Sequence, residues 1–273
     1  MADKSPEWLA AEAGFGVAFS DFRRLATGNS SRNFQATACA DGRRYLVKFG
    51  RESAVRILTR IAGAVHDPLF VPMAFGAKVF QVGDEWCCAM DWLDGVLSVR
   101  PQDMTSIQIR ELVAAYGRMS DALQVLSNGC KPDERLIHGD LHFDNVLFRG
   151  DRVVAFVDFE MMRSGYPTDD LLRVFVHRME RTRFWKFGAM SRLFRGLGEM
   201  IRCAPYSADD WLAAIERYVV RKNAIRARKS RWRWVAAVEW YLRAPLYARL
   251  RKYVNQTAAG ISSICGTIGK TNV

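Results

Sequence analysis

The sequence predicts an α+β chain of two unequal lobes, a β-rich N-terminal lobe over residues 1–94 and a mainly helical C-terminal lobe over 95–273. Three observations carry this. Residues 22–62 run strand, strand, strand, helix. A further strand pair flanks "VGDE", and helical spacing governs the second half apart from one apolar run, "RVVAFVDFE". At 273 residues the chain exceeds an average domain but is short for two large ones, which suits two lobes sharing a cleft.

In order along the chain, "FRRLATGNSSRNFQATACADGRRYLVKF" (22–49) reads as three short strands broken by "TGNSSRN" and "ADGR". Its Asp41-Gly42 pair is a hairpin signal. In "ESAVRILTRIA" (52–62), Val55, Leu58, Ile61 and Ala62 fall at helical spacing, and Gly63 ends the run. Two strands follow in "VPMAFGAKVFQVGDEWCCAMDWLDG", with the lobe boundary near Asp94 and Gly95. "PQDMTSIQIRELVAAYGRMSDALQVL" then aligns Ile109, Leu112, Val113, Tyr116, Met119 and Leu123 on one helical stripe. "RVVAFVDFE" reads as a buried strand, and helices are expected from about Thr168. No internal repeat or low-complexity tract interrupts this order.

Composition narrows the class. An apolar fraction of 49% is ample for a core. The six cysteines are scattered without a CxxC pair, which argues against a disulfide framework or structural zinc and fits a reducing cytoplasm. Asp3, Glu7 and Glu12 interrupt the N-terminus where a signal peptide needs an apolar run, and no stretch approaches the roughly 18 apolar residues of a membrane span. The net charge of +11 is concentrated: residues 221–252 hold eleven basic residues against one acid, Glu239.

The chemistry lies in "LIHGDLHFDNVLF", which sets His138, Asp140, His142, Asp144 and Asn145 between apolar residues. Asp140 and Asn145 are five apart, and Asp158 follows thirteen later at the end of the apolar strand. A turn that returns two carboxylates and a carboxamide to one cleft suits magnesium, a hard cation that keeps several waters and takes few protein ligands. It also leaves one carboxylate free to orient a hydroxyl. The competing reading is a plain hairpin with "FRGDR" as its tip.

"HGDLHFDN" followed by "VDFE" resembles the catalytic loop and metal-binding strand of the aminoglycoside phosphotransferase and choline kinase-like family, which has a protein kinase-like fold. The resemblance spans roughly residues 22–176 and implies an ATP- and magnesium-dependent kinase acting on an alcohol group. It implies Asp140 as the residue that positions or deprotonates the acceptor hydroxyl, with Asn145 and Asp158 as magnesium ligands and His138 as a structural residue beneath the loop. Gly139 stands where protein kinases carry an arginine, so control by activation-loop phosphorylation is not expected.

Further residues join the nucleotide site under this resemblance. Lys48, a lone cation on an apolar third strand, would contact phosphate; otherwise it is an edge lysine snorkelling to solvent. Glu52 is placed to pair with it, or to interact with its own helix dipole. Ser30 and Ser31 in "TGNSSRNF" could hold phosphate, against a simple turn. Asp91 and Leu93, in "CCAMDWLDG", occupy the position of a hinge whose backbone bonds adenine. Asp169 or Asp170 would anchor the catalytic loop, or merely cap a helix.

The acceptor is less constrained. Lys222, Arg226, Lys229 and Arg233 form one helical stripe with Trp232, Trp234, Trp240 and Tyr241 nearby. This suggests peripheral contact with anionic membrane at its inner face, or an anionic saccharide or glycolipid, as for family members acting on lipopolysaccharide core sugars. A solvated basic face with core tryptophans is the plain alternative. Nucleic acid is not expected, since no recognised module accompanies the stripe. A soluble choline, ethanolamine or amino-sugar kinase remains as an alternative, with Phe184, Trp185 and Phe187 as a cage and Glu180 as its one nearby acid. A pseudokinase scaffold is the alternative of another class.

Overall fold

The computed structural model describes residues 4–25, 32–127, 130–131, 134–181, 187–229 and 244–257. Helix α1 (Pro6–Phe15) starts at Ser5, whose side chain accepts the Trp8 N–H, and ends where Gly16 turns left-handed. An antiparallel sheet follows: β1 (Phe19–Arg24), β2 (Arg32–Ala38), β3 (Arg44–Gly50), β4 (Val79–Val82) and β5 (Glu85–Asp91), in the order β1-β2-β3-β5-β4. Asp41 and Gly42 turn β2 into β3, as their type requires. Helix α2 (Glu52–Ala64) crosses behind the sheet and buries Val55, Leu58 and Ile61. It runs one residue beyond Gly63 and ends where the Val65 N–H bonds the Ile61 carbonyl.

The C-terminal half begins with α3 (Ser106–Leu123), whose Thr105 and Gln108 form a reciprocal capping box. All six residues of the predicted stripe are buried. Three-residue strands β6 (Arg135–Ile137) and β9 (Arg163–Gly165) pair with each other, and β7 (Val146–Arg149) pairs with β8 (Arg152–Phe156). Helices α4 (Pro167–Arg181), α5 (Phe187–Cys203), α6 (Ala208–Lys229) and α7 (244–257) complete the described chain.

The larger core joins α3 to α7 and fully buries Trp211, Phe148, Phe156 and Phe175. Ile61, Val65, Leu69 and Phe70 enter this core from the N-terminal side, and Phe156 donates its N–H to the Leu69 carbonyl at 2.8 Å. A second core, rich in phenylalanine, lies between α1 and the sheet. Among the described residues, no helix is long and apolar enough to cross a membrane.

Candidate active site

The hairpin expected around "FRGDR" forms, and the "HGDLHFDN" loop leads into it. β7 and β8 form a hairpin with Gly150-Asp151 at its tip, and its open end pairs Val146 with Phe156. Just beyond that pair the Val157 N–H bonds the Asn145 carbonyl at 3.1 Å. The hairpin register therefore sets Asn145 beside the chain leading into Asp158, although thirteen residues separate them.

The loop itself is pinned from below. His138 is fully buried, and its Nε2 lies 2.8 Å from the Val157 carbonyl. A carbonyl only accepts, so Nε2 carries the proton and Nδ1 faces the Asp140 N–H at 3.4 Å. Gly139 has φ of +79°, and a Cβ there would meet the Met161 carbonyl oxygen at 2.0 Å. Only glycine fits this close approach. Of the two aspartates expected to anchor the loop, Asp170 does so: it is fully buried, accepting the Gly139 N–H at 2.9 Å and the Tyr116 hydroxyl at 3.1 Å. Burial raises its carboxyl pKa against those bonds. Asp169 turns instead to Arg217 at 2.8 Å and Arg163 at 3.8 Å.

Asn145 is buried, with Nδ2 donating to the Asp140 carbonyl at 3.0 Å. That anchor leaves the amide oxygen as its available ligand atom. Asp158 stands two residues past β8 with φ 66° and ψ 56°, a left-handed backbone that costs a non-glycine residue about 1–2 kcal/mol. Such conformations concentrate where a side chain must be aimed. Asp140 makes an ion pair with Arg173 of α4.

Lys48 lies on β3, between β2 and β5, and not on an edge; only 6% of its side chain is exposed. It reaches Asp158 at 3.1 Å and Glu160 at 2.6 Å. Burial alone would lower the ammonium's pKa, but the two carboxylates outweigh it and the net shift is upward. The expected Lys48–Glu52 pair does not form. Glu52 is half-exposed at the start of α2 and pairs with Arg56 at 2.6 Å, one helical turn on. The first-turn position is solvent-facing, while Glu160, just after Asp158, enters the cleft beside Lys48.

A cleft of about 1480 Å³ gathers Lys48, Asp91, Leu93, Asp140, Asn145 and Asp158 in one wall-to-wall space. Trp92, His142, Asp144, Arg173 and His177 line it as well. His142 stacks on His177 at 5.1 Å between ring centres, and burial lowers its pKa against the pull of Asp140 and Asp144. The Asp91 N–H is taken by the Pro72 carbonyl at 3.0 Å. Ser30 and Ser31 lie outside the described residues, as do Phe184, Trp185, Trp232, Arg233, Trp234, Trp240 and Tyr241 and the side chains of Phe187, Arg226 and Lys229.

Sequence reasoning missed Arg173, His177 and the partnership of Glu160 with Lys48. The signal for Arg173 was present: one arginine interrupts the apolar run "LLRVFV" just after the anchoring aspartate.

Residues 108–200, which hold both motifs, match the family model described as phosphotransferase enzyme family. Across the whole chain the fold is similar to solved phosphotransferases. A thermostable mutant of aminoglycoside phosphotransferase APH(4)-Ia, in ternary complex with AMP-PNP and hygromycin B, is 13% identical with a TM-score of 0.54, covering 94% of this chain and 98% of that one. Spectinomycin phosphotransferase APH(9)-Ia, in complex with ADP and spectinomycin, is 11% identical with a TM-score of 0.51, covering 94% and 99%. The macrolide 2′-phosphotransferase MphH from Brachybacterium faecium is 15% identical with a TM-score of 0.50, covering 93% and 98%. One curated relative, acyl-CoA dehydrogenase family member 11 of Gallus gallus, is 40% identical over 58 residues, which is 19% of this chain and only 8% of that protein. The motif-bearing segment thus matches a phosphotransferase family model, and the chain has a protein kinase-like fold similar to that of solved aminoglycoside phosphotransferases.

Proposed function

We propose that this enzyme transfers the γ-phosphate of ATP, with magnesium, to a hydroxyl of a small-molecule or saccharide acceptor. The observation that carries this reading is the meeting of Lys48, Asp158, Asn145 and Asp140 on one cleft. In it, the base bonds the Asp91 carbonyl and the Leu93 N–H, and Lys48, kept charged by Asp158 and Glu160, contacts phosphate. Ser30 and Ser31 are assigned to the same phosphates. Phosphoryl transfer asks a protein mainly for positioning and charge neutralisation.

The donor set fits magnesium: a free carboxamide oxygen on Asn145 and a carboxylate on Asp158 are hard oxygen ligands, few in number, beside open cleft for water. Those two residues would hold the ion, which when bound neutralises phosphate charge. Asp140 orients the acceptor hydroxyl and takes its proton, while Arg173 fixes the carboxylate's direction.

On the acceptor side the charges favour an anionic saccharide or glycolipid, such as a lipopolysaccharide core, over a cationic amino alcohol. Glu180, the one acid available to a cation cage, is buried and engaged by Lys222 at 3.0 Å and Tyr218 at 3.0 Å, and by Tyr247. The basic segment 221–252 would then bring the enzyme to an anionic membrane surface.

The test is phosphoryl transfer from ATP with magnesium to a panel of neutral, cationic and anionic alcohols, beside Asp140→Asn and Asp158→Asn. The expected loss for Asp140→Asn is about 10²–10⁴-fold in kcat, the range for removing a general base. Nucleotide binding without turnover on any acceptor, unchanged by either substitution, would defeat the reading. Sedimentation with anionic and neutral liposomes at low and moderate salt tests the membrane contact, which fails if neither carries the protein down.

A further inference from the structure

Behind the catalytic loop lies a second cavity, of about 360 Å³, lined by Gly139, Asp169, Asp170, Tyr218 and five cations: Arg163, Arg173, Arg217, Arg221 and Lys222. The cations come from three elements, β9, α4 and α6. Arg173 lines both this cavity and the cleft, and Gly139 immediately precedes Asp140. The two spaces therefore meet at the acceptor-orienting carboxylate.

The charges here do not balance. Arg173 is paired with Asp140 and Lys222 with Glu180, while Arg163 and Arg217 share Asp169. Asp170 is turned away into its bonds with Gly139 and Tyr116. Arg221 is half-buried and has no carboxylate within 4.0 Å among the described residues. Its pKa is lowered by burial and by repulsion from Arg163 and Arg173, which outweigh the pull of Asp140 and Asp169. A half-buried guanidinium with no direct carboxylate partner and two other guanidinium groups nearby is a ready ligand for an anion. Arg217 is already oriented, its guanidinium 4.0 Å above the Tyr166 ring, so the fork is held ready.

We propose that this cavity binds an oxyanion, a phosphate, sulfate or carboxylate, carried by the acceptor itself, with Arg221, Arg163 and Arg217 as its ligands and the acceptor's hydroxyl lying across Arg173 at Asp140. The site deepens the phosphotransferase reading and rests on it. Its chemistry is bidentate guanidinium recognition of a planar or tetrahedral anion. Engaging the anion also gives Arg221 a direct partner and adds counter-charge for Arg163 and Arg217, which share Asp169. A cationic aminoglycoside-like acceptor would meet repulsion at the same point.

The test uses the full chain with AMP-PNP and magnesium bound, so that added phosphate cannot report on the nucleotide site. Affinities are measured by calorimetry for inorganic phosphate and for two phosphorylated alcohols of different reach, glycerol 3-phosphate and glucose 6-phosphate. The expected result is saturable binding of all three, with at least one phosphorylated alcohol tighter than inorganic phosphate. Arg221→Ala should weaken each about tenfold, the worth of one charge-assisted hydrogen bond. Asp140→Asn should weaken only the alcohols, and Arg221→Lys, which keeps the charge, controls for loss of folding. Absence of saturable binding, or binding unchanged in Arg221→Ala, overturns the proposal. Inorganic phosphate binding as tightly as both alcohols assigns the cavity to a free ion and overturns its acceptor role. Failure of AMP-PNP to bind the same samples would count against the phosphotransferase reading alone, since phosphate binding dependent on Arg221 is read separately.

Discussion

Arg173, in the second turn of α4, ion-pairs with Asp140 of the loop between β6 and β7, with only 18% of the arginine side chain exposed. The anchor that sets this helix against the loop is Asp170, one turn earlier on α4. The same helix therefore fixes the loop backbone and the direction of the Asp140 carboxylate.

Arg173→Ala should lower kcat by about 10- to 100-fold, since a displacement of about 1 Å at a reacting group costs that order. The KM for ATP should stay within about twofold, because the nucleotide side is held by other residues. Arg173→Lys should restore little, lacking the planar fork. Steady-state kinetics with the best acceptor checks both.

Glu160 and Glu52 are separated by a simple comparison. Glu160→Gln leaves buried Lys48 with Asp158 alone and should raise the KM for ATP roughly tenfold, the effect of one lost charged contact. Glu52→Gln removes an exposed pair with Arg56 and should change stability by less than about 0.5 kcal/mol and ATP affinity not at all. The reverse ranking would restore the pairing expected from sequence.

Asp170→Ala should destabilise the fold by about 2–4 kcal/mol, because it strands the buried Gly139 N–H and Tyr116 hydroxyl. Gly139→Ala should be at least as damaging, since its Cβ has no room against Met161. Denaturant titration measures both, and a variant of either kind with wild-type midpoint would contradict this account of the loop.

His142 gives a pH dependence. Burial holds its imidazole below the ordinary value, so the unfolded chain takes up a proton first as pH falls. Its contribution is therefore full above about pH 6.5 and is lost as the pH drops below that value. Thermal melts at pH 7.5 and 5.5 should show a smaller loss for His142→Gln than for the wild type.

The order of elements from β2 to α3 was legible in the sequence because its signals are local. Asp41-Gly42, the spacing of Val55, Leu58 and Ile61, and the stripe from Ile109 to Leu123 each specify an element without help from distant residues. Helix α1 was passed over although Ser5, Pro6 and Gly16 mark its ends, because its apolar residues lack helical periodicity. Strands β6 and β9 could not be read: three residues have no period, and each exists only because the other is beside it.

By itself the sequence singled out Asp140, Asn145, Asp158 and Lys48, by motif and spacing in their own elements, and the four line one cleft. The partners were decided by the tertiary structure. Lys48 meets Glu160 rather than Glu52, Asp140 meets Arg173, and Arg221 is brought among other cations, because these pairs join strands and helices far apart in the chain. Ionic contacts of that kind follow from where packed cores place the backbone, and burial decides how much each charge matters once it is there.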